Sequence, residues 1–192
     1  MTIYDLKPKF QQLLMPLVNI LHKKGVSPNQ VTIMAILLSA LGGLCVLASV
    51  DNTTLLLLIP VILFVRMALN AIDGLLAKEF NQKTKFGAVL NELGDVISDS
   101  FLYLPFVYIL DPVFVVIFVV LAILSEFSGV LSWAIIGERR YNGPMGKSDR
   151  AFLLGLLSVL IAFFDTFYIA NILLSISIIL LLLTIYNRSK NM

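Results

Sequence analysis

Between Asn70 and Asp99 the sequence reads NAIDGLLAKEFNQKTKFGAVLNELGDVISD, with apolar residues on both sides. Its polar groups fall on helical spacing. Arg66, Asn70 and Asp73 form an i, i+4, i+7 row on one helix. Gly87, Asn91, Asp95 and Asp99 form an i, i+4, i+8, i+12 row on the next, with Glu92 three residues before Asp95. Only NQKT separates the two helices, so they are antiparallel neighbours, and Asp73 and Asp95 reach a comparable depth. Carboxylates and amides offer oxygen donors alone, the set that a hard divalent cation such as magnesium or manganese prefers. Gly74, Ala77 and Gly87 strip side chains from the faces beside these acids and leave room for a bulky ligand at the backbone. Close helix packing is the alternative use of such residues.

The elements that must position these groups are membrane helices. Of the 192 residues, 59% are hydrophobic and 14% charged, with a mean hydropathy of +0.95. A soluble domain of this size could not cover itself with so few charges, which points to an all-α integral membrane protein. The pattern predicts six spans, Pro28–Val50, Thr53–Phe80, Thr84–Leu110, Pro112–Gly137, Lys147–Phe164 and Tyr168–Tyr186. The turns DNTT, DP and DTFY carry no lysine or arginine. The opposite face collects Lys7, Lys9, Lys23, Lys24, Lys78, Lys83, Lys85, Arg139, Arg140, Lys147, Arg150, Arg188 and Lys190. By the positive-inside rule that face and both termini are cytoplasmic, and the short chain suits a bacterial inner membrane. Residues 1–24, with Pro8 and Pro16, read as an interfacial amphipathic segment or a flexible tail. Single Cys45 and single His22 exclude an internal disulfide and a cysteine–histidine zinc site.

Three charges lie deeper. Arg66, Asp99 and Glu126 fall roughly 16–21 Å below the cytoplasmic boundary by helical rise. An isolated charge there costs about 2.5–3.5 kcal/mol on insertion scales, so Arg66 is expected to pair with Asp99, Glu126 or both as a structural network. The loop from Gly137 to Arg150, GERRYNGPMGKSDR, is broken by Gly143, Pro144 and Gly146. Its cations either enforce orientation or bind lipid phosphates. Ser148 or Asp149 can cap the helix that follows. Lys147 and Arg150 are expected beside the acids, holding a ligand's phosphate, with Arg139 and Arg140 on lipid headgroups. The expected partners are membrane lipids and small molecules, not nucleic acid.

These residues resemble the CDP-alcohol phosphatidyltransferases, whose signature is D-x2-D-G-x2-A-R-x8-G-x3-D-x3-D. Laid from Asn70 to Asp95, it matches at Asp73, Gly74, Ala77, Gly87 and Asp95, while Asn70, Asn91 and Lys78 depart. The stretch GVSPNQVT is also similar to the family's lead into its first span, which brings in Asn29 and Thr32. The resemblance implies a six-helix domain over 25–192, frequently a homodimer, which moves a phosphatidyl group from CDP-diacylglycerol to an alcohol and releases CMP. It also implies divalent ions on Asp73, Asn70, Asn91 and Asp95, with Asp95 as general base. Asn29, Thr32, Gly74, Ala77, Lys78 and Gly87 would face the substrate, and the phosphate on Lys147 and Arg150 would be the acceptor's. The two asparagines leave three readings. One ion suffices, or Glu92 and Asp99 restore the charge, or the protein is a silent lipid- or nucleotide-binding relative. A transporter with an intramembrane carboxylate relay is the rival from another class; it calls for inverted repeats, which the sequence does not show.

Overall fold

The computed structural model describes residues 3–164 and 166–190, with side chains from residue 8 onward. Asp165, in the turn expected between the last two spans, and the Lys7 side chain lie outside the described residues. Among the described residues there are helices and no strands. They are α1 (Ile3–Lys23), α2 (Pro28–Ala48), α3 (Leu58–Glu79), α4 (Lys85–Tyr103), α5 (Pro112–Ile136), α6 (Lys147–Phe164) and α7 (Phe167–Ser189). A 3₁₀ turn, Thr53–Leu57, leads into α3, and another, Leu104–Tyr108, extends α4.

Six helices follow α1, in register with the six expected spans. Four of them are long and apolar enough to cross a membrane: Pro28–Ala48, Thr53–Glu79, Pro112–Ile136 and Phe167–Ser189. The other two, α4 and α6, carry Lys85, Glu92, Asp95 and Asp99, and Lys147, Asp149 and Arg150. Asp99 and Arg150 are buried against neighbouring helices. Large apolar side chains such as Leu37, Phe64, Phe127 and Ile179 cover the outside, as helices surrounded by lipid require.

Residues 3–23 form one helix through both Pro8 and Pro16, so the flexible-tail alternative does not hold. This helix lies on α3. Val18 is fully buried with Val31, Ile72, Leu75 and Leu76, and His22 stacks on Phe80 at 3.6 Å between ring centroids. Gly25 ends α1 with φ +73°, a left-handed conformation that lets Val26 N–H reach the Leu21 carbonyl at 3.0 Å. Ser27 then starts α2 through a capping box with Gln30, ahead of Pro28 at the first helical position.

Helix α2 packs along both α3 and α4, α3 packs on α6, and α5 on α7. The backbones of α2 and α4 meet at Gly43, where a Cβ would run into the Phe101 carbonyl. With α3 packed along α2 as well, α2, α3 and α4 together hold the polar stretch.

Candidate functional site

Helices α2, α3 and α4 enclose a cavity of about 320 Å³. From α2 it is lined by Pro28, Asn29 and Thr32, and from α3 by Asn70, Asp73, Gly74 and Ala77. Gln82, Lys83 and Thr84 of the turn, with Gly87, Ala88 and Asn91 of α4, complete it. Eight of the expected site residues thus meet in one space. The register explains it: Asn70, Asp73, Gly74 and Ala77 share one face of α3, and Gly87 and Asn91 are one turn apart on α4. Thr84 caps α4 by accepting from Gly87 N at 2.9 Å, which fixes where that face begins.

Asp73 is buried, and the Thr32 hydroxyl donates to its Oδ2 at 2.8 Å. A Cβ on Gly74 would meet nothing within 4 Å, so that glycine opens the cavity rather than tightening a helix contact. Gly87 does both. A Cβ there would come within 2.8 Å of Asn29 Oδ1, so the missing side chain lets Asn29 reach α4. The Asn70 Nδ2 is buried without a hydrogen-bond partner, as is Gln82 Oε1. Buried polar atoms of this kind call for a ligand or solvent.

Asp95 lies outside this lining. Its Oδ1 is bound by Lys147 Nζ, so Lys147 stands beside the acids as expected, but engaged with a carboxylate. Glu92, expected as a metal ligand, is held by Arg139. Lys78, expected to face the substrate, lies about 100° round the helix from Ala77. Its side chain is largely exposed, 3.8 Å from Glu79.

The acceptor-binding expectation for Arg150 does not hold. Its side chain is 0% exposed and donates to Asp99 Oδ2 at 2.9 Å, Glu126 Oε1 at 2.9 Å and Ser125 Oγ at 3.2 Å. Arg66 binds Asp99, one of the pairings expected from depth, so this carboxylate is engaged within the helix bundle. Arg139 reaches Glu126 at 3.1 Å as well as Glu92, and Arg188 lies 3.7 Å from Glu126. Arg139 is therefore a strut between α4 and α5, not a headgroup anchor. Arg140 donates to the Arg188 and Lys190 carbonyls, which ties it to the end of α7. The rest of the loop is fastened there too. Met145 N donates to Thr184 Oγ1 at 2.9 Å, and Asn142 Nδ2 to the Asn187 carbonyl at 3.1 Å.

The sequence assigns no site role to Arg188, Gln82 or Lys83, and assigns Arg139 a headgroup role in place of its carboxylate partners. A signal existed for the arginines: Arg66 alone cannot balance both Asp99 and Glu126, so further cations had to come from the basic face. None existed for Gln82 and Lys83, which are ordinary turn residues by type.

The profile of the CDP-alcohol phosphatidyltransferase family matches residues 25–186. The chain belongs to this family, whose members are enzymes that transfer phosphatidyl groups. It is 47% identical, over 100% of its own length and 96% of the relative's, to inner membrane protein YnbA of Escherichia coli (strain K12). A protein of Aquifex aeolicus (strain VF5) is 40% identical over 101 residues, 53% of this chain and 47% of that protein. The fold is shared with phosphatidylinositol phosphate synthase (PgsA1) of Mycobacterium tuberculosis, at 19% identity. The TM-score is 0.75 to its complex with CDP-DAG, covering 92% of each chain. It is 0.75 also to the complex with manganese and citrate, covering 90% of this chain and 85% of that one.

Proposed function

We propose that this protein is a multi-pass inner-membrane transferase that moves a phosphatidyl group from CDP-diacylglycerol to an alcohol and releases CMP. The carrying observation is that Asn29, Thr32, Asn70, Asp73, Gly74, Ala77, Gly87 and Asn91 line one cavity. In this reading α2 to α7 all cross the membrane with both termini cytoplasmic, and α4 and α6 cross because their charges are paired inside. Residues 25–192 are the membrane domain, and α1 lies at its interface.

The donor set fits a divalent ion. Asp73, Asn70 and Asn91 offer oxygens from one cavity, and magnesium sites characteristically use one or two carboxylates plus substrate phosphates. Such an ion, magnesium or manganese, would neutralise the pyrophosphate and the charge that develops on the phosphorus under attack. The chain's residues supply the rest. Gly74 and Gly87 admit the nucleotide to the backbone. Thr32 holds Asp73 in place through its hydroxyl. Asp95 accepts the proton of the acceptor hydroxyl as its oxygen bonds to the lipid-side phosphorus, and the bond to CMP breaks with its electron pair on the leaving phosphate.

The test is CMP release by the purified protein in lipid nanodiscs with CDP-diacylglycerol, magnesium or manganese, and a panel of alcohols. The panel includes glycerol 3-phosphate, inositol phosphate, serine and a lipid alcohol. Asp73→Asn should abolish release while the protein still inserts and folds. Full activity in that variant refutes the assignment, and absence of CMP with every alcohol favours a silent relative.

A further inference from the structure

The cavity is short of negative charge. Of the four oxygen-bearing positions read as ion ligands, Asn70 and Asn91 are neutral and only Asp73 and Asp95 are carboxylates. These two acids differ in partner. Asp73 shares the cavity with both amides and is met by a neutral hydroxyl, that of Thr32. Asp95 is met by the ammonium of Lys147.

The neighbouring acids cannot make up the shortfall. Glu92 is bound by Arg139, and Asp99 by Arg66 and Arg150. Among the described residues, no three of histidine, cysteine, aspartate and glutamate gather closely enough to hold a metal ion. Formal charges then decide the stoichiometry. Asp73 and Asp95 give −2, and Lys147 brings the group to −1. One divalent ion takes it to +1, and two would take it to +3 beside a cavity whose other lining side chains are neutral except Lys83, a further cation, so the protein offers nothing to offset the excess.

Lys147 is also built to stay. It opens α6, and Asp149 Oδ2 accepts from Gly146 N at 2.9 Å to fix that first turn. Arg150, one turn on, locks the same helix start to Asp99 and Glu126. The backbone that carries Lys147 is thus fixed, and its ammonium rests on Asp95.

We propose that the site holds one divalent ion, on Asp73 and the two asparagines, and that Lys147 supplies the second positive charge as a fixed ammonium on Asp95. This rests on the metal-dependent reading above. Lys147 is thus a positioning residue that acts through Asp95.

The experiment counts manganese bound to the purified protein in nanodiscs, from loss of the free-ion EPR signal. The wild type should bind one equivalent. Lys147→Gln alone should tighten that site roughly tenfold, because a like charge beside a dication is removed. Lys147→Gln with Asn91→Asp should bind two equivalents, and Lys147→Arg with Asn91→Asp should return to one. Two equivalents in the wild type would overturn the proposal and leave the transferase reading intact. So would a Lys147→Gln variant that binds no tighter, or a Gln–Asp double variant that stays at one. No binding by the wild type at millimolar manganese would overturn the proposal too, and CMP release decides the transferase reading separately.

Discussion

Replacing Arg150 by methionine keeps the apolar stem and removes the guanidinium from a fully buried position. Breaking a buried ion pair by deleting one partner ordinarily costs about 3–5 kcal/mol, because the other charge is left uncompensated. Here the remaining carboxylates are not stranded. Asp99 keeps Arg66, and Glu126 keeps Arg139 at 3.1 Å and Arg188 at 3.7 Å. The expected loss therefore sits at the lower end, about 3 kcal/mol. At about 2–4 °C per kcal/mol for a chain of this size, thermal unfolding in nanodiscs should move down by about 6–12 °C. Glu126→Gln with Arg150→Met should cost less than the two single changes added together, by about 0.5–3 kcal/mol, since both act on one network. A variant that melts within about 2 °C of wild type, yet shows a raised KM for an anionic acceptor alone, would refute this. It would mean that the guanidinium faces substrate rather than Asp99 and Glu126.

Gly74→Ala places a methyl group in open space within a helix, so stability should rise by about 0.5–1 kcal/mol while CMP release falls; unchanged activity would mean that the cavity does not admit the nucleotide there. Gly43→Ala should do the reverse of stabilise. Its Cβ runs into the Phe101 carbonyl, and overpacking costs about 1–3 kcal/mol, read as a lower melting temperature. Asn91→Asp adds a carboxylate to the cavity and should lower the magnesium concentration at half-maximal activity; an unchanged midpoint would place Asn91 away from the ion.

The local features were legible in the sequence because each is set by short-range chemistry. Helical spacing put Asn70, Asp73 and Gly74 on one face and Gly87 and Asn91 on another. Depth narrowed the partners of Arg66 to Asp99, Glu126 or both, and the fold takes Asp99. Asp149, one of two candidate caps, closes the first turn of α6 through Gly146 N. What escaped was long-range. Arg150 looks exposed beside a basic loop, and only its distant partners, Asp99 on α4 and Ser125 and Glu126 on α5, show that it is buried. The loop looks free because its glycines and proline break helix, yet Thr184 and Asn187, some forty residues away in sequence, fasten it. Lys78 fits the signature by position, but a helix turns about 100° per residue, and that turn carries it off the cavity face.

The charges of this apolar chain fall into two sets. One set is neutralised within the protein: Arg66 and Arg150 on Asp99, and Arg150, Arg139 and Arg188 on Glu126. These pairs join α3, α4, α5, α6 and α7 through contacts that lipid cannot replace, since an unpaired charge there has no water to solvate it. The second set is Asp73 and Asp95, one met by a hydroxyl and the other by a single ammonium at a helix start. The two sets meet on α4, where Asp95 and Asp99 are one turn apart. Fixing Asp99 from both sides fixes the height and rotation of α4, and with it the positions of Asp95, Asn91 and Gly87. The buried network is therefore what holds the α4 wall of the cavity in register with Asp73 on α3. It follows that damage to the network should loosen the cavity even where no network residue lines it.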